Sequence, residues 1–336
     1  MKISSTITLA VAAISTSAAV VSRAGAACPA VWTTISTDLS TLFLQSNGQC
    51  NDDARAAVRL AFHDCATWAT AQGKTGGCDG SIVLSAVENA RPENDGLQPI
   101  SGKLAALASQ NKVGVADMVA YAGAHATVSC PLGPTVKTVV GRNDSSNPAP
   151  NEALLPANAS MTADMIITLF ADKGFSAPDV AALIGAHTSA RQDFVDPALA
   201  GEPEDRTPGI WDVSYYNDTF NQPPGVFVFQ SDISVSQDSR SGPTFKSFIG
   251  QQAYVSLSLA SPPPLLISPL TLHPQPMEPS LRRHIRAPHG PRRRHLVVQH
   301  HRLHLHPPRA PRHFCRRESA RRRTYQLSWR GRGRVP

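Results

Sequence analysis

The sequence predicts a mainly helical body over residues 28–253, preceded by an export signal and followed by a basic tail. Helical segments recur along the body, and only the run 227–232 (FVFQSD) reads as a short strand. At residue 254 the composition changes to proline, arginine and histidine, and aliphatic periodicity ends. We therefore expect one folded domain between two segments of different character.

Residues 1–27 have the pattern of a secretory signal. Lys2 precedes an apolar run through Val21, and four small residues, 24–27, follow it. No later stretch is long and apolar enough to cross a bilayer, so we expect a secreted protein without a membrane partner. Export permits disulfides and makes three sequons plausible glycosylation sites. They begin at Asn143, Asn158 and Asn217.

The net charge of +7 is the sum of a strongly basic part and a mildly acidic part of the chain. Residues 254–336 hold 17 arginines, no lysine and two acids, which gives +15 and leaves −8 for the rest. Nine of the twelve histidines also lie in this tail. A segment of this composition cannot bury enough apolar surface to offset the conformational entropy that the chain loses on folding. We therefore expect the tail to be disordered.

The stretch Arg59-Leu-Ala-Phe-His63-Asp64 lies in a predicted helix whose start Asn51 or Asp52 can cap. Arg59 and His63 are four residues apart, so they share one helix face. A fixed cation beside a neutral imidazole suits proton transfer near developing negative charge. The alternative is a helix with a surface arginine and a hydrogen-bonded histidine.

The loop after this helix carries hard oxygen ligands. Asp64, Asp79 and Ser81 suit Ca²⁺, although an ordinary Asp-Gly turn is the alternative. A Cys65–Cys78 disulfide would close the loop, and Cys130 can pair with Cys50. The polar run 88–94 that follows reads by itself as loop.

Further helices are expected along the body: one from Cys28 to Phe43, and others over 99–110, Ala116–Ala126 and Thr162–Asp172. We expect His125, inside the third of these, to be structural.

A buried helix opens at a capping-box-like start, Ser176 to Asp179, and carries His187 among apolar residues. A lone histidine in such a helix is more often a satisfied core residue than a ligand. Two carboxylates and a threonine around the Pro-Gly turn in 205–212 suit a second Ca²⁺.

Together these motifs resemble the plant-type haem peroxidase superfamily, and within it the secreted fungal class II enzymes. RLAFHDC with GGCDGS downstream, the GAHT helix and DRTPGIWD occur in the family's order and spacing. The resemblance covers about residues 28–253. It implies an all-α fold in which a distal and a proximal helical half enclose haem b.

The resemblance also implies roles for the distal residues. His63 matches the distal base, Arg59 the distal cation, and Asn94 the asparagine that orients the histidine, with Glu88 as its partner. Hydrogen peroxide would be reduced through a ferryl intermediate, and phenolic or aromatic donors would be oxidised in one-electron steps.

On the proximal side, His187 matches the axial iron ligand and Asp232 the acid that accepts its other N–H. Two Ca²⁺ sites are implied as well. The distal site matches Asp64, Gly77, Asp79 and Ser81. The proximal site matches Thr188, Asp205, Thr207, Ile210 and Asp212.

The chain departs from the ligninolytic pattern at several positions. Ala182 replaces the exposed tryptophan used for long-range electron transfer. Asp52 and Asp193 match two manganese ligands, but the third position is Ala56, so Mn²⁺ oxidation is unsupported. A generic peroxidase acting as a monomer on small aromatic reductants is the expectation.

The tail departs from the family's helical continuation, and we expect it to arise from a retained intron or a reading-frame error. Cys28 then loses its expected partner. Two alternatives remain: an inactive peroxidase-like protein, and a basic-tailed protein that binds anionic surfaces or nucleic acid. Export argues against nucleic acid.

Overall fold

The computed structural model describes residues 29–150, 154–251, 258–259, 312–318 and 324–330. The predicted signal segment, 1–27, lies outside these residues, as does most of the tail. Within the described residues eleven α-helices dominate the body. They are α1 Val31–Phe43, α2 Asp52–Cys65, α3 Ser81–Leu84, α4 Ala86–Asn89, α5 Gln98–Asn111, α6 Val115–Ser129, α7 Ala163–Ala171, α8 Ala177–Leu183, α9 Ser214–Asn221, α10 Gln230–Gln237 and α11 Gly242–Ser247.

The first half packs α1, α2, α5 and α6 around one apolar core. The Asn51 side chain caps α2 by accepting from the backbone N–H of Ala54, as expected. Gly123 lets α6 approach α2 closely, because a Cβ there would lie 2.5 Å from Cβ of Ala61. His125 is buried and hydrogen bonds to Ser40, in agreement with a structural role. This packing holds α2 rigidly.

The second half packs α7 to α11 around a separate core that includes Phe170, Tyr215 and Phe245. Ser176 and Asp179 form the predicted capping box at the start of α8. Helix α8 ends at Leu183, and a 3₁₀ helix, Ile184–Ser189, continues the chain. The expected helix through residue 188 therefore tightens in its last part.

The run 227–232, expected to be a strand, is only partly extended. Helix α10 begins at Gln230 with Phe229 as its N-cap residue, so Asp232 lies in the first helical turn. The strand-like composition of this run predicted an extended segment but not the helix start. Residues of low helix propensity still form helix where tertiary packing favours it.

Both predicted disulfides, Cys50–Cys130 and Cys65–Cys78, are present. The hydroxyl of Ser189 lies within 3.6 Å of both sulfurs of the first bridge, which ties the 3₁₀ helix to the first half. Lys173, after α7, donates to the backbone carbonyls of Ala66 and Trp68 at 2.8 and 2.9 Å. These contacts join the two halves.

A four-stranded sheet has the order β2-β1-β4-β3. Its strands are β1 Lys137–Val140, β2 Ser258–Leu259, β3 Arg312–Glu318 and β4 Thr324–Arg330. Strand β4 runs antiparallel to β1, with Lys137 opposite Ser328, and antiparallel to β3; β2 is parallel to β1.

Three of these strands, β2, β3 and β4, lie in the tail, for which the composition predicts disorder. In β4 the apolar residues Tyr325, Leu327 and Trp329 alternate with polar ones, which is the period of a strand. The rest of the tail lies outside the described residues. Among the described helices, none combines the length and apolar character needed to span a membrane.

Candidate active site

Helix α2 brings Arg59 and His63 to one side of the first half. Nδ1 of His63 donates to Oδ1 of Asn94 at 2.9 Å, so Nε2 is left as the ring's proton acceptor. The guanidinium of Arg59 donates to the carbonyls of Asp95 at 2.8 Å and Glu93 at 3.0 Å. The loop 93–95 therefore orients both side chains.

Glu88 holds Asn94 through its backbone, not its carboxylate. Nδ2 of Asn94 donates to the carbonyl of Glu88 at 2.7 Å. The Glu88 carboxylate instead accepts from the N–H of Ala149 at 2.7 Å. Glu88 and Asn94 are therefore paired as expected, but through the backbone carbonyl of Glu88. Its carboxylate binds the backbone at Ala149 instead.

His63 is a neutral base at neutral pH. Burial, and then the nearby charge of Arg59, lower its pKa from 6.5 to about 4, while the hydrogen bond that the ring donates to Asn94 acts in the opposite direction. Burial also lowers the pKa of Arg59, while Asp193, Glu204 and Asp95 oppose that shift.

The second half brings His187 and Asp232 together. Nδ1 of His187 donates to Oδ2 of Asp232 at 2.8 Å, and the hydroxyl of Tyr215 donates to the same oxygen at 2.7 Å. Gly185, two residues before His187, leaves room for Tyr216, because a Cβ there would lie 2.1 Å from the hydroxyl of that tyrosine.

Glu204, which the motif analysis did not single out, joins this pair. Its Oε2 lies 3.0 Å from Nδ1 of His187. Burial acts to lower the pKa of His187, but the charges of Glu204 and Asp232 outweigh it and raise the pKa well above its usual value. The one sequence signal for Glu204 is its position directly before the motif that begins at Asp205.

The imidazole of His187 is partly accessible. Its side chain is 34% exposed, although the Asp232 and Glu204 side chains that contact it are buried. The two sides of the site also influence each other, since the charge of Arg59 lowers the pKa of Glu204, which burial raises. This links the Arg59 side of the site to the His187 cluster.

The predicted distal calcium residues form one buried oxygen cluster. Both oxygens of Asp64 accept from the N–H of Gly80 at 3.1 Å, and Oδ1 of Asp79 accepts from the N–H of Ser81. Burial, and then the charge of Asp79, raise the pKa of Asp64 well above its usual range. The Gly77 carbonyl lies beside them, accepting from Asp79 N–H at 2.7 Å.

The predicted proximal calcium residues also meet. The hydroxyl of Thr188 donates to Oδ2 of Asp205 at 2.5 Å, and that of Thr207 donates to Oδ2 of Asp212 at 2.9 Å. The N–H of Ile210 donates to the carbonyl of Thr207. Burial raises the pKa of Asp205 to about 7, and the hydrogen bonds that Asp205 accepts from the Thr188 hydroxyl and the Thr207 N–H oppose this rise.

A family model described as Peroxidase matches residues 35–251. The chain belongs to the peroxidase family. This confirms the resemblance drawn from RLAFHDC, GAHT and DRTPGIWD, and the helical architecture agrees with it.

Proteins similar to this chain include peroxidases of fungi. Manganese peroxidase 3 of Phlebia radiata is 33% identical over 236 residues, which are 63% of this chain and 65% of the relative. The peroxidase of Arthromyces ramosus is 32% identical over 65% of each chain. Ligninase LG2 of Phanerodontia chrysosporium is 32% identical over 61% of this chain and 62% of its own length. The chain therefore spans less than two thirds of these relatives.

Two of the three positions at which the resemblance implies manganese ligands hold acids, Asp52 and Asp193. Arginine side chains lie close to the first of them. Asp52 is exposed and pairs with Arg55, and Nε of Arg191 lies 3.9 Å from it. Ala56 and Ala182 stand where the ligninolytic pattern has an acid and a tryptophan. The surroundings of Asp52 therefore disfavour a divalent cation.

Proposed function

We propose that this chain is a secreted haem peroxidase that reduces hydrogen peroxide and oxidises small phenolic or aromatic donors one electron at a time. The observation that supports this most is the pair of held imidazoles in a member of the peroxidase family. His63 is oriented by Asn94, and His187 by Asp232.

The residues around His187 suit haem b. Its Nδ1 faces two carboxylates, its Nε2 makes no hydrogen bond within the described residues, and 34% of the side chain is accessible. His187 is the residue that would hold the haem iron, and Asp232 the acid that would raise the basicity of its imidazole. Haem bound there would supply the iron redox chemistry that the side chains lack.

The distal residues then handle protons and charge. Nε2 of His63 takes a proton from the first oxygen of hydrogen peroxide and delivers it to the second oxygen, which leaves as water. The Arg59 guanidinium stabilises negative charge on the departing oxygen. Asn94, held by the Glu88 carbonyl, keeps the imidazole in the tautomer that this transfer needs.

The reductant is proposed to be a small phenolic or aromatic donor at the haem edge. We do not extend manganese as a substrate from the relative named manganese peroxidase to this chain. Ala56 supplies no carboxylate, and Asp52 is paired with arginines. Ala182 offers no aromatic ring for a surface route.

Two calcium ions suit the oxygen clusters. Asp64 and Asp205 are fully buried, and burial raises both pKa values, which is the expected cost of carboxylates without a cation. We assign Asp64, Gly77, Asp79 and Ser81 to one ion. Thr188, Asp205, Thr207, Ile210 and Asp212 are assigned to the other.

Calcium removal by EGTA is expected to lower the melting temperature. At free Ca²⁺ 100 times Kd, one site adds about 2.7 kcal/mol, which is about 5–11 °C for a domain of this size. Differential scanning fluorimetry measures it. Asp205→Asn should lose part of the calcium-dependent shift, and the exposed Asp164→Asn should keep all of it. Equal shifts in both variants would contradict the assignment.

The reaction with peroxide is expected to slow as pH falls through about 4. His63 acts as a base only when neutral, so its lowered pKa keeps it active above that value and protonation removes it below. Arg59→Leu removes a charge that lowers this pKa, so the acid limb should move to higher pH. Stopped-flow rates across pH 3–7 measure it; a shift to lower pH would disprove the coupling.

Secretion is proposed from residues 1–27, and Asn143 and Asn158 are exposed sites for glycosylation. Asn217, the third sequon, lies in α9. We propose a monomer whose partners are hydrogen peroxide and aromatic reductants, with no nucleic-acid or membrane partner.

Haem reconstitution followed by a dye assay tests the proposed function. The full chain should give a Soret band and oxidise a phenolic dye only when peroxide is present. A folded chain that binds haem but does not oxidise the dye would support the inactive alternative. A folded chain that takes up no haem would overturn the proposal.

A further inference from the structure

Glu204 is held beside His187 by the backbone. The N–H of Glu204 donates to the carbonyl of Ala190 at 3.1 Å, and the N–H of Gln192 donates to the carbonyl of Glu202 at 3.0 Å. The chain after His187 and the chain around Glu204 thus form a short antiparallel ladder. The position of Glu204 is a fixed feature of the fold.

One imidazole proton faces two carboxylates. Oδ2 of Asp232 lies 2.8 Å from Nδ1 of His187, and Oε2 of Glu204 lies 3.0 Å from the same nitrogen. The N–H points to Asp232, so Glu204 approaches off the N–H axis. Both acids are buried, with Glu204 4% exposed.

The two acids differ in their other partners. Asp232 also accepts from the hydroxyls of Tyr215 and Ser231, at 2.7 and 3.1 Å, so its charge is stabilised without His187. Oε2 of Glu204 has no hydrogen-bond partner among the described residues, and it lies at ion-pair distance, 3.0 Å, from Nδ1 of His187. Among these residues the imidazole is therefore the group that the Glu204 carboxylate faces.

We propose that Glu204 is a second positioning carboxylate for His187, which shares the Nδ1 proton with Asp232 and makes the imidazole a stronger electron donor than one acid would. This rests on the proposed assignment of His187 to haem iron. A more anionic imidazole stabilises oxidised iron, so Glu204 lowers the potential of the ferric/ferrous couple.

The test compares Glu204→Gln with Glu202→Gln in the haem-loaded full chain. Both remove one negative charge from the same segment at nearly constant size, but Glu202 is not among the groups that shift the pKa of His187. We expect Glu204→Gln to raise the ferric/ferrous midpoint potential and to lower the iron–histidine stretching frequency in resonance Raman spectra. Glu202→Gln should leave both values unchanged.

The outcomes separate this inference from the proposed function. If the unmodified chain shows no histidine-ligated haem, the proposed function fails and this inference with it. If it does, and Glu204→Gln matches Glu202→Gln in both values, only the role of Glu204 is overturned.

A second measurement covers a variant that does not load haem. In haem-free protein with ¹⁵N-labelled histidine, the Nδ1 proton of His187 should move upfield in Glu204→Gln as its hydrogen bonding weakens. An unchanged resonance would overturn the proposal.

Discussion

Replacing His63 with leucine is expected to slow the reaction with hydrogen peroxide by about 10²–10⁴-fold, the usual contribution of a positioned base. Nε2 of His63 is the proton acceptor because Nδ1 is committed to Asn94 at 2.9 Å. Stopped-flow absorption after mixing with peroxide measures the rate constant. Haem content should stay constant, since His63 is not proposed to bind iron.

Asn94→Leu provides a graded comparison for His63→Leu. It keeps the imidazole but removes the acceptor that fixes its tautomer, so the loss should be smaller. If His63→Leu reacted with peroxide at the rate of the unmodified chain, the assignment of the distal base would be wrong.

Replacing His187 with alanine is expected to weaken haem binding by more than the 10–100-fold typical of losing an outer partner of a metal ligand. The variant removes the proposed ligand and leaves Asp232 and Glu204 buried without their shared donor. Haem titration followed by Soret absorption measures the affinity. Added imidazole should restore part of the ligation.

His125→Gln is the matched control for this loss. His125 is also buried, but it bonds to Ser40 in the first half, and glutamine can keep a hydrogen bond there. It should bind haem as the unmodified chain does. Equal haem affinity of His187→Ala and the unmodified chain would refute the ligand assignment.

Much of the candidate site could be predicted from local sequence. Helical spacing placed Arg59 and His63 on one face, and the side-chain cap at Asn51 agreed with the structure. The capping box at Ser176 was equally local. Such features depend on residues within one or two turns, so sequence alone carries them.

Other features were beyond local reasoning. The carbonyl of Glu88, and not its carboxylate, holds Asn94. Asp232 lies in a helical turn where the run 227–232 had indicated a strand. Glu204 faces His187 because two distant segments pair. Atom choice and segment pairing depend on packing between residues far apart in the chain.

The sequence by itself predicted the helical class, candidate residues for two imidazole sites and the two cysteine pairings that the structure contains, because motif order and spacing carry that information. Only the tertiary structure decided that two carboxylates lie within 3.0 Å of one imidazole nitrogen, and that the charge of Arg59 acts on one of them. The reason is that burial and charge interactions arise between side chains the fold brings together, and a linear pattern does not give their distances.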